Sequence, residues 1–204
     1  MADEVNAPIV ERISPSERDE RDTGKEEYAV VLDFLQYGYA FDPRPSHQKT
    51  PIVQALGVSH FALLELVPKK DVVLQPHAHV YIGEGKRDEI HHIKGRLPYE
   101  RLTATAQAEL QSAVAELILK DEARFVDFFN KAQPLTTRMH QLELLPGLGK
   151  KHMWEVIEAR KEQLFTSFAD IRKRVKLMPD PKVIVVKRIL AELAGKEKHR
   201  IFAH

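Results

Sequence analysis

The run Leu142-Glu143-Leu144-Leu145-Pro146-Gly147-Leu148-Gly149-Lys150-Lys151 leaves little choice of local fold. Pro146 lacks an amide hydrogen and its ring blocks the preceding turn, so a helix arriving from the N-terminal side must stop there. Gly147 and Gly149 admit positive φ and let another chain approach the backbone closely. Leu142, Leu145, Leu148, Met153, Val156 and Ile157 recur at helical spacing, which predicts two short helices zipped across a tight turn. The N–H groups at the start of the second helix then lack partners and converge at its positive end, a ready site for an anion. Lys150 and Lys151 add full charges there. The expected ligand is backbone phosphate, held by Gly147, Leu148, Gly149 and Lys150 through main-chain N–H groups with Lys151 assisting by charge.

This segment, roughly residues 138–163, resembles the helix-hairpin-helix motif, whose apolar residue, Pro, Gly, apolar residue and Gly match Leu145 to Gly149. The resemblance implies sequence-independent binding of a DNA or RNA backbone. The alternative is an ordinary helix turn in which Pro146 and Gly147 only punctuate, and related folds use such hairpins for packing or protein contact. A degenerate second copy follows. Ser167, with Asp170 three residues on, starts a helix carrying Arg172, Lys173, Arg174 and Lys176 that stops at Met178-Pro179-Asp180-Pro181. Aligning Leu145-Pro146-Gly147 with Met178-Pro179-Asp180 puts a helix over Lys182 to Leu193, with Val183, Val186, Ile189, Leu190 and Leu193 on one side. Asp180 is expected as its N-cap and Pro181 as its first residue. A carboxylate where phosphate would sit makes this second hairpin structural.

A length of 204 residues and 43% hydrophobic content allow a buried core in one large domain or two small ones. The formal charge of +1 hides an asymmetry, for residues 1–27 are acidic and residues 138–200 are rich in lysine and arginine. The absence of cysteine excludes disulfides and cysteine zinc sites, and no long apolar run suggests a signal peptide or membrane span, so the cytoplasm is the expected compartment. Residues 1–27 read as a flexible tail, either a solubilising linker or an acidic competitor for phosphate on the same protein.

From residue 28 to about 100, β-branched and aromatic residues cluster between turn formers. The expected strands are Tyr28 to Phe41, Phe61 to Val67, Val72 to Leu74, His77 to Ile82 and Glu89 to Leu97. Ala78, Val80 and Ile82 alternate with His77, His79 and Tyr81 as on a strand with one buried face. Several short strands suggest a small barrel, resembling the OB barrel, with a sandwich as the alternative. Tyr37, Tyr39 and Phe41, at alternate positions, can stack on bases or fill the barrel interior. Lys86, Arg87, Lys94 and Arg96 on the last hairpin can add backbone contacts. If Gly83 to Asp88 closes that hairpin, His79 falls near His91 or His92 with His77 close by, a metal hypothesis that lacks carboxylates and a fixed ligand spacing. No nucleophile elbow, nucleotide loop or metalloprotease motif is present, so the expectation is a non-enzyme without cofactor or metal.

Residues 101–204 are expected to be helical. Thr103 caps a helix with the stripe Leu110, Val114, Leu117 and Ile118, followed by Phe125, Phe128 and Phe129; these, and Trp154, are assigned to packing. The expected class is therefore α+β: an OB-like barrel, then an all-helical tandem helix-hairpin-helix domain. With Tyr81-Ile82-Gly83-Glu84-Gly85-Lys86-Arg87 and His92-Ile93-Lys94-Gly95-Arg96, the chain resembles an uncharacterised family of archaeal proteins regarded as RNA binders. The expected partner is nucleic acid, RNA ahead of DNA, with no membrane. Competing functions are a protein-interaction scaffold in translation or repair and a metal-dependent hydrolase using His77, His79 and His92.

Overall fold

The computed structural model describes residues 24–203. Most of the expected acidic tail lies outside the described residues, but its last part is built into the fold. The Glu26 carboxylate is buried and accepts N–H bonds from Ser59 at 2.7 Å, His60 at 2.8 Å and Ala62 at 3.2 Å. Gly57 is required beside it, since a Cβ there would lie 2.0 Å from Glu26 Oε1.

Five strands, β1 (Tyr28–Leu35), β2 (Ile52–Gly57), β3 (Leu63–Pro68), β4 (His79–Tyr81) and β5 (Ile90–Arg96), form one sheet in the order β4-β1-β2-β3-β5, every pairing antiparallel. The sheet curls into a half barrel and does not close, because among the described residues β4 pairs only with β1 and β5 only with β3. Inside the curl Ala29, Val31, Val53, Ala55, Leu64, Leu66, Val80 and Ile90 make one core. Val30, Leu32, Leu56 and Leu63 face the other way and pack with the helices. Because both faces of β1 to β3 are covered, these strands read as continuous apolar runs without a period of two.

Several expected strand bounds change. The strand expected to reach Phe41 stops at Leu35, where a turn closed by Gly38 N–H to Leu35 O at 3.1 Å, with Gly38 at φ +62°, takes the chain out of the sheet. Tyr37, Tyr39 and Phe41 therefore do not share a strand face. Ile52 to Gly57, absent from the expected strands, forms the middle of the sheet, and Val72 to Leu74 is loop. Gly83 to Asp88 closes no hairpin, since it links strands at opposite margins of the sheet.

Five helices follow among the described residues: α1 (Ala104–Lys120), α2 (Glu122–Lys131), α3 (Lys150–Glu162), α4 (Phe168–Arg174) and α5 (Pro181–Leu193). A two-stranded ribbon, β6 (Pro134–Thr136) and β7 (Met139–His140), and a 3₁₀ turn over Gln141–Leu144 lie between α2 and α3. Thr103 caps α1 as expected, accepting from Ala106 N–H at 3.0 Å, and its hydroxyl also donates to Asp33 Oδ2 at 2.6 Å, tying the helix to β1. The apolar core on this side is continuous from Val30 and Leu56 through Leu110, Phe129, Val156 and Ile171 to Ile189 and Phe202. In α5 the buried face is Ile184, Val185, Val186, Arg188, Ile189 and Glu192; Val183, expected inside, is exposed.

Three arginines of the basic C-terminal half serve the fold. Arg160 donates to Phe129 O and Ala132 O, both at 2.9 Å, closing the carbonyl end of α2. Arg174 does the same for α3 through Ala159 O and Gln163 O. Arg188, only 3% exposed, donates to Glu192 at 2.7 Å, to Leu144 O at 2.9 Å and to His199 O. Glu192 in turn accepts from the N–H groups of Ile201, Phe202 and Ala203 at 2.9–3.0 Å, so this buried pair holds the end of the described chain against α5.

Candidate nucleic-acid interface

The hairpin over Leu145–Gly149 is a tight turn pinned at both ends by buried leucines. Leu148 N–H bonds to Leu145 O at 3.1 Å with Gly147 at φ +84° between them, the geometry of a type II turn with Pro146 at its second position. Leu142, Leu145 and Leu148 are buried, whereas Pro146, Gly147 and Gly149 are exposed. The two glycines differ in why they are there. A Cβ on Gly147 would need the left-handed region and would meet Pro179 Cγ at 3.3 Å, whereas Gly149 lies at φ −79°, ψ 174° with open space around it. The expectation of positive φ at Gly149 is thus corrected.

Gly149 is the N-cap of α3, and with no side chain it supplies no cap bond. The first helical bond runs from Met153 N–H to Gly149 O at 3.0 Å, so the amides of Lys150, Lys151 and His152 precede it and face outward. Lys150 and Lys151 are exposed, the latter 4.0 Å from Glu155. Trp154, assigned to packing from the sequence, is instead 58% exposed one turn further along α3.

The 3₁₀ turn leading into the hairpin is fixed by His140, which the sequence did not single out. Its Nδ1 accepts from Leu142 N–H at 3.1 Å while its own N–H donates to Glu143 at 2.9 Å. Burial, helped by nearby Arg160 and opposed by Glu143, lowers its pKa, which suits a ring nitrogen that must stay an acceptor.

A second turn, between α4 and α5, repeats the backbone shape with different residues. Val175 is buried like Leu145, and Leu177, at φ +61° and 87% exposed, occupies the place of Gly147. The correspondence is therefore Leu145 with Val175, three residues earlier than the sequence alignment placed it. Here the helix start is closed: Asp180 Oδ1 accepts from Lys182 N–H at 3.0 Å and Val183 N–H at 3.3 Å, and Arg172 pairs with the same carboxylate at 3.1 Å.

The remaining candidate residues lie on the half barrel. Lys86 and Arg87 sit in the β4–β5 connection beside a shallow depression that Lys69 and His91 also line. Lys94 and Arg96 are on the free margin β5, and Lys94 pairs with buried Glu65. Tyr37 is 64% exposed, while Tyr39 is buried with its hydroxyl donating to Glu65 at 3.0 Å. The histidines do not assemble. His77 lies 2.8 Å from Glu109 and 3.4 Å from Glu116 on α1, His79 lies 2.9 Å from Lys120, and His91 and His92 contact each other. Among the described residues no cluster has metal-binding geometry.

Residues 25–204 match the family model DUF655, described as a protein of unknown function. The chain belongs to the DUF655 family. It is 45% identical over 177 residues to the uncharacterized protein MJ0038 of Methanocaldococcus jannaschii, covering 87% of this chain and 78% of that one. The crystal structure of Af1531 from Archaeoglobus fulgidus, a DUF655 protein, is similar with a TM-score of 0.82 and 46% identity over 88% of this chain and all of that one. Both relatives are archaeal and the family is one of unknown function, in keeping with the uncharacterised archaeal family expected from the sequence. No helix among the described residues is long and apolar enough to cross a membrane.

Proposed function

We propose that this chain is a non-enzymatic nucleic-acid-binding protein, RNA ahead of DNA, that grips backbone phosphate through Gly147, Leu148, Gly149 and Lys150 with Lys151 beside them. In this reading residues 138–163 act as a helix-hairpin-helix, the α4–α5 turn as its closed structural copy, and the curled sheet as an OB-like partner domain. The carrying observation is a contrast within one chain. The helix after the first turn starts at an uncapped glycine flanked by two exposed lysines, while the helix after the second starts at an aspartate whose carboxylate already fills the anion position. Phosphate contacts of this kind fix position without reading sequence, so affinity should fall steeply with salt.

The test copies Asp180 into the first turn. Gly149 has the extended backbone of an N-cap and open space, so Gly149→Asp should fold and cap α3. Gel-shift titration with single- and double-stranded RNA and DNA at low and moderate salt should show salt-sensitive binding by the parent. The variant should bind at least about tenfold more weakly, a loss of roughly 1.4 kcal/mol. Unchanged affinity in the folded variant would remove the hairpin from the reading.

A second reading, a protein-interaction scaffold, draws on Leu164 and Leu177, which are 60% and 87% exposed on the helical side. An apolar interface of that kind would respond little to salt.

A further inference from the structure

Where β1 leaves the sheet, the chain doubles back across the sheet's end and sets an aromatic pair on a polar base. Gln54 on β2 and Glu65 on β3 are register partners, both buried. Together they hold the Tyr39 hydroxyl, which donates to Glu65 at 3.0 Å and accepts from Gln54 Nε2 at 3.2 Å. Gln54 also donates to Arg101 O at 3.0 Å and accepts from Thr103 N–H at 2.9 Å, so the start of α1 is fixed to the same base. The Phe41 ring stacks on Tyr39 with centroids 4.8 Å apart and planes 15° from parallel. The Arg101 guanidinium stands 5.5 Å from the Tyr39 ring centre and 5.8 Å from that of Phe41.

Burial does not explain Phe41, which is 70% exposed although it is held parallel to a fixed, buried ring. An aromatic face presented to water between cations matches a ligand that is flat and aromatic on one part and anionic on the next. The cations continue along β5. Lys94, which pairs with Glu65, lies 6.0 Å from the Tyr39 ring, and Arg96, His92 and His91 are exposed on the same edge strand, bonded on one side only to β3, which leads to the depression lined by Lys69, Lys86 and Arg87. At about 3.3 Å per residue, β5 provides a track of roughly 20 Å.

We infer that the end of the half barrel is a binding site for single-stranded nucleic acid, in which one unpaired base stacks on Phe41 and the flanking phosphates meet Arg101 and the cations of β5. The inference rests on the reading of the chain as a nucleic-acid binder but uses a site distinct from the hairpin. Duplexes are poor ligands here, because their base faces are covered by neighbouring bases.

The experiment is isothermal titration of the whole chain with matched single-stranded and duplex oligonucleotides, comparing the parent, Phe41→Ala, Phe41→Trp and Gly149→Asp. Phe41→Ala should weaken single-strand binding by about 5- to 100-fold and leave duplex binding and the thermal midpoint unchanged, and Phe41→Trp should restore it. Unchanged single-strand affinity in Phe41→Ala would overturn the platform, even if Gly149→Asp abolished binding and so upheld the hairpin. Loss in Phe41→Ala with none in Gly149→Asp would uphold the platform and end the hairpin. A parent that binds no oligonucleotide would end both.

Discussion

Gly147, Leu177 and His140 show how much of a turn rests on single residues. Gly147→Ala is expected to cost about 1–2 kcal/mol in urea unfolding, because φ +84° is a left-handed position and Pro179 closes the space beside it. Leu177→Gly should act in the opposite sense, raising stability by roughly 0.5–1 kcal/mol, since an exposed branched residue now bears φ +61°. His140 has a lowered pKa in the fold, so the unfolded chain takes up its proton first as pH falls. Its contribution is complete above the ordinary histidine value of about 6.5 and is lost on acidification below it. The thermal midpoint should therefore drop below that pH, and His140→Asn, whose Oδ1 can cap without titrating, should flatten the drop. His79, lowered by burial and Lys120, acts in the same direction and leaves a residual slope. Of these residues only Gly147 announced itself in the sequence. Leucine at a glycine-like φ carries no compositional mark, so the sequence alone aligns the second turn three residues late. Histidine as a cap lacks the statistical signal that Asp180 followed by Pro181 carries.

Helices were easier to foresee than strands because their signals are local. Thr103 and Asp180 cap the helices they were expected to cap, and the stripe Leu110, Val114, Leu117 and Ile118 is buried. Thr103→Val should cost about 1–2 kcal/mol, since it removes both the cap and the hydroxyl bond to Asp33. Strand β2 carries no strand signal in the sequence because it is covered on both faces and holds a buried Gln54, which breaks any apolar alternation. The overlong first strand has the opposite cause: Tyr37, Tyr39 and Phe41 keep a period of two while the backbone, turned by Gly38, no longer does. Tyr39 and Phe41 still meet, through stacking in a loop and not through a shared face. Trp154 is exposed, against the expectation of packing, because the buried arc of α3 is centred on Met153 and Val156 and leaves it just outside.

At the scale of the molecule, one apolar core runs from the outer face of the sheet through the helices to Phe202, so the β and α parts share it. Calorimetry should accordingly show a single unfolding transition. Glu192→Ala should lower stability by about 2–4 kcal/mol, because it leaves the buried N–H groups of Ile201 to Ala203 without their acceptor and removes one of the two carboxylates that pair with buried Arg188, Glu197 being the other. The basic character of the C-terminal half, visible in the sequence, overstated the charge available to a ligand. Arg160, Arg174 and Arg188 are spent on main-chain carbonyls, a use no charge count can distinguish from a surface cation.

Trp154 is the only indole in the chain, and it projects 58% exposed from the helix that begins at Lys150. The protein thus carries its own optical reporter beside one candidate site and none at the other. Ligand seated on the hairpin would dim or shift the emission, whereas a base on Phe41 would leave the spectrum alone, so unlabelled samples can tell which of the two surfaces fills first.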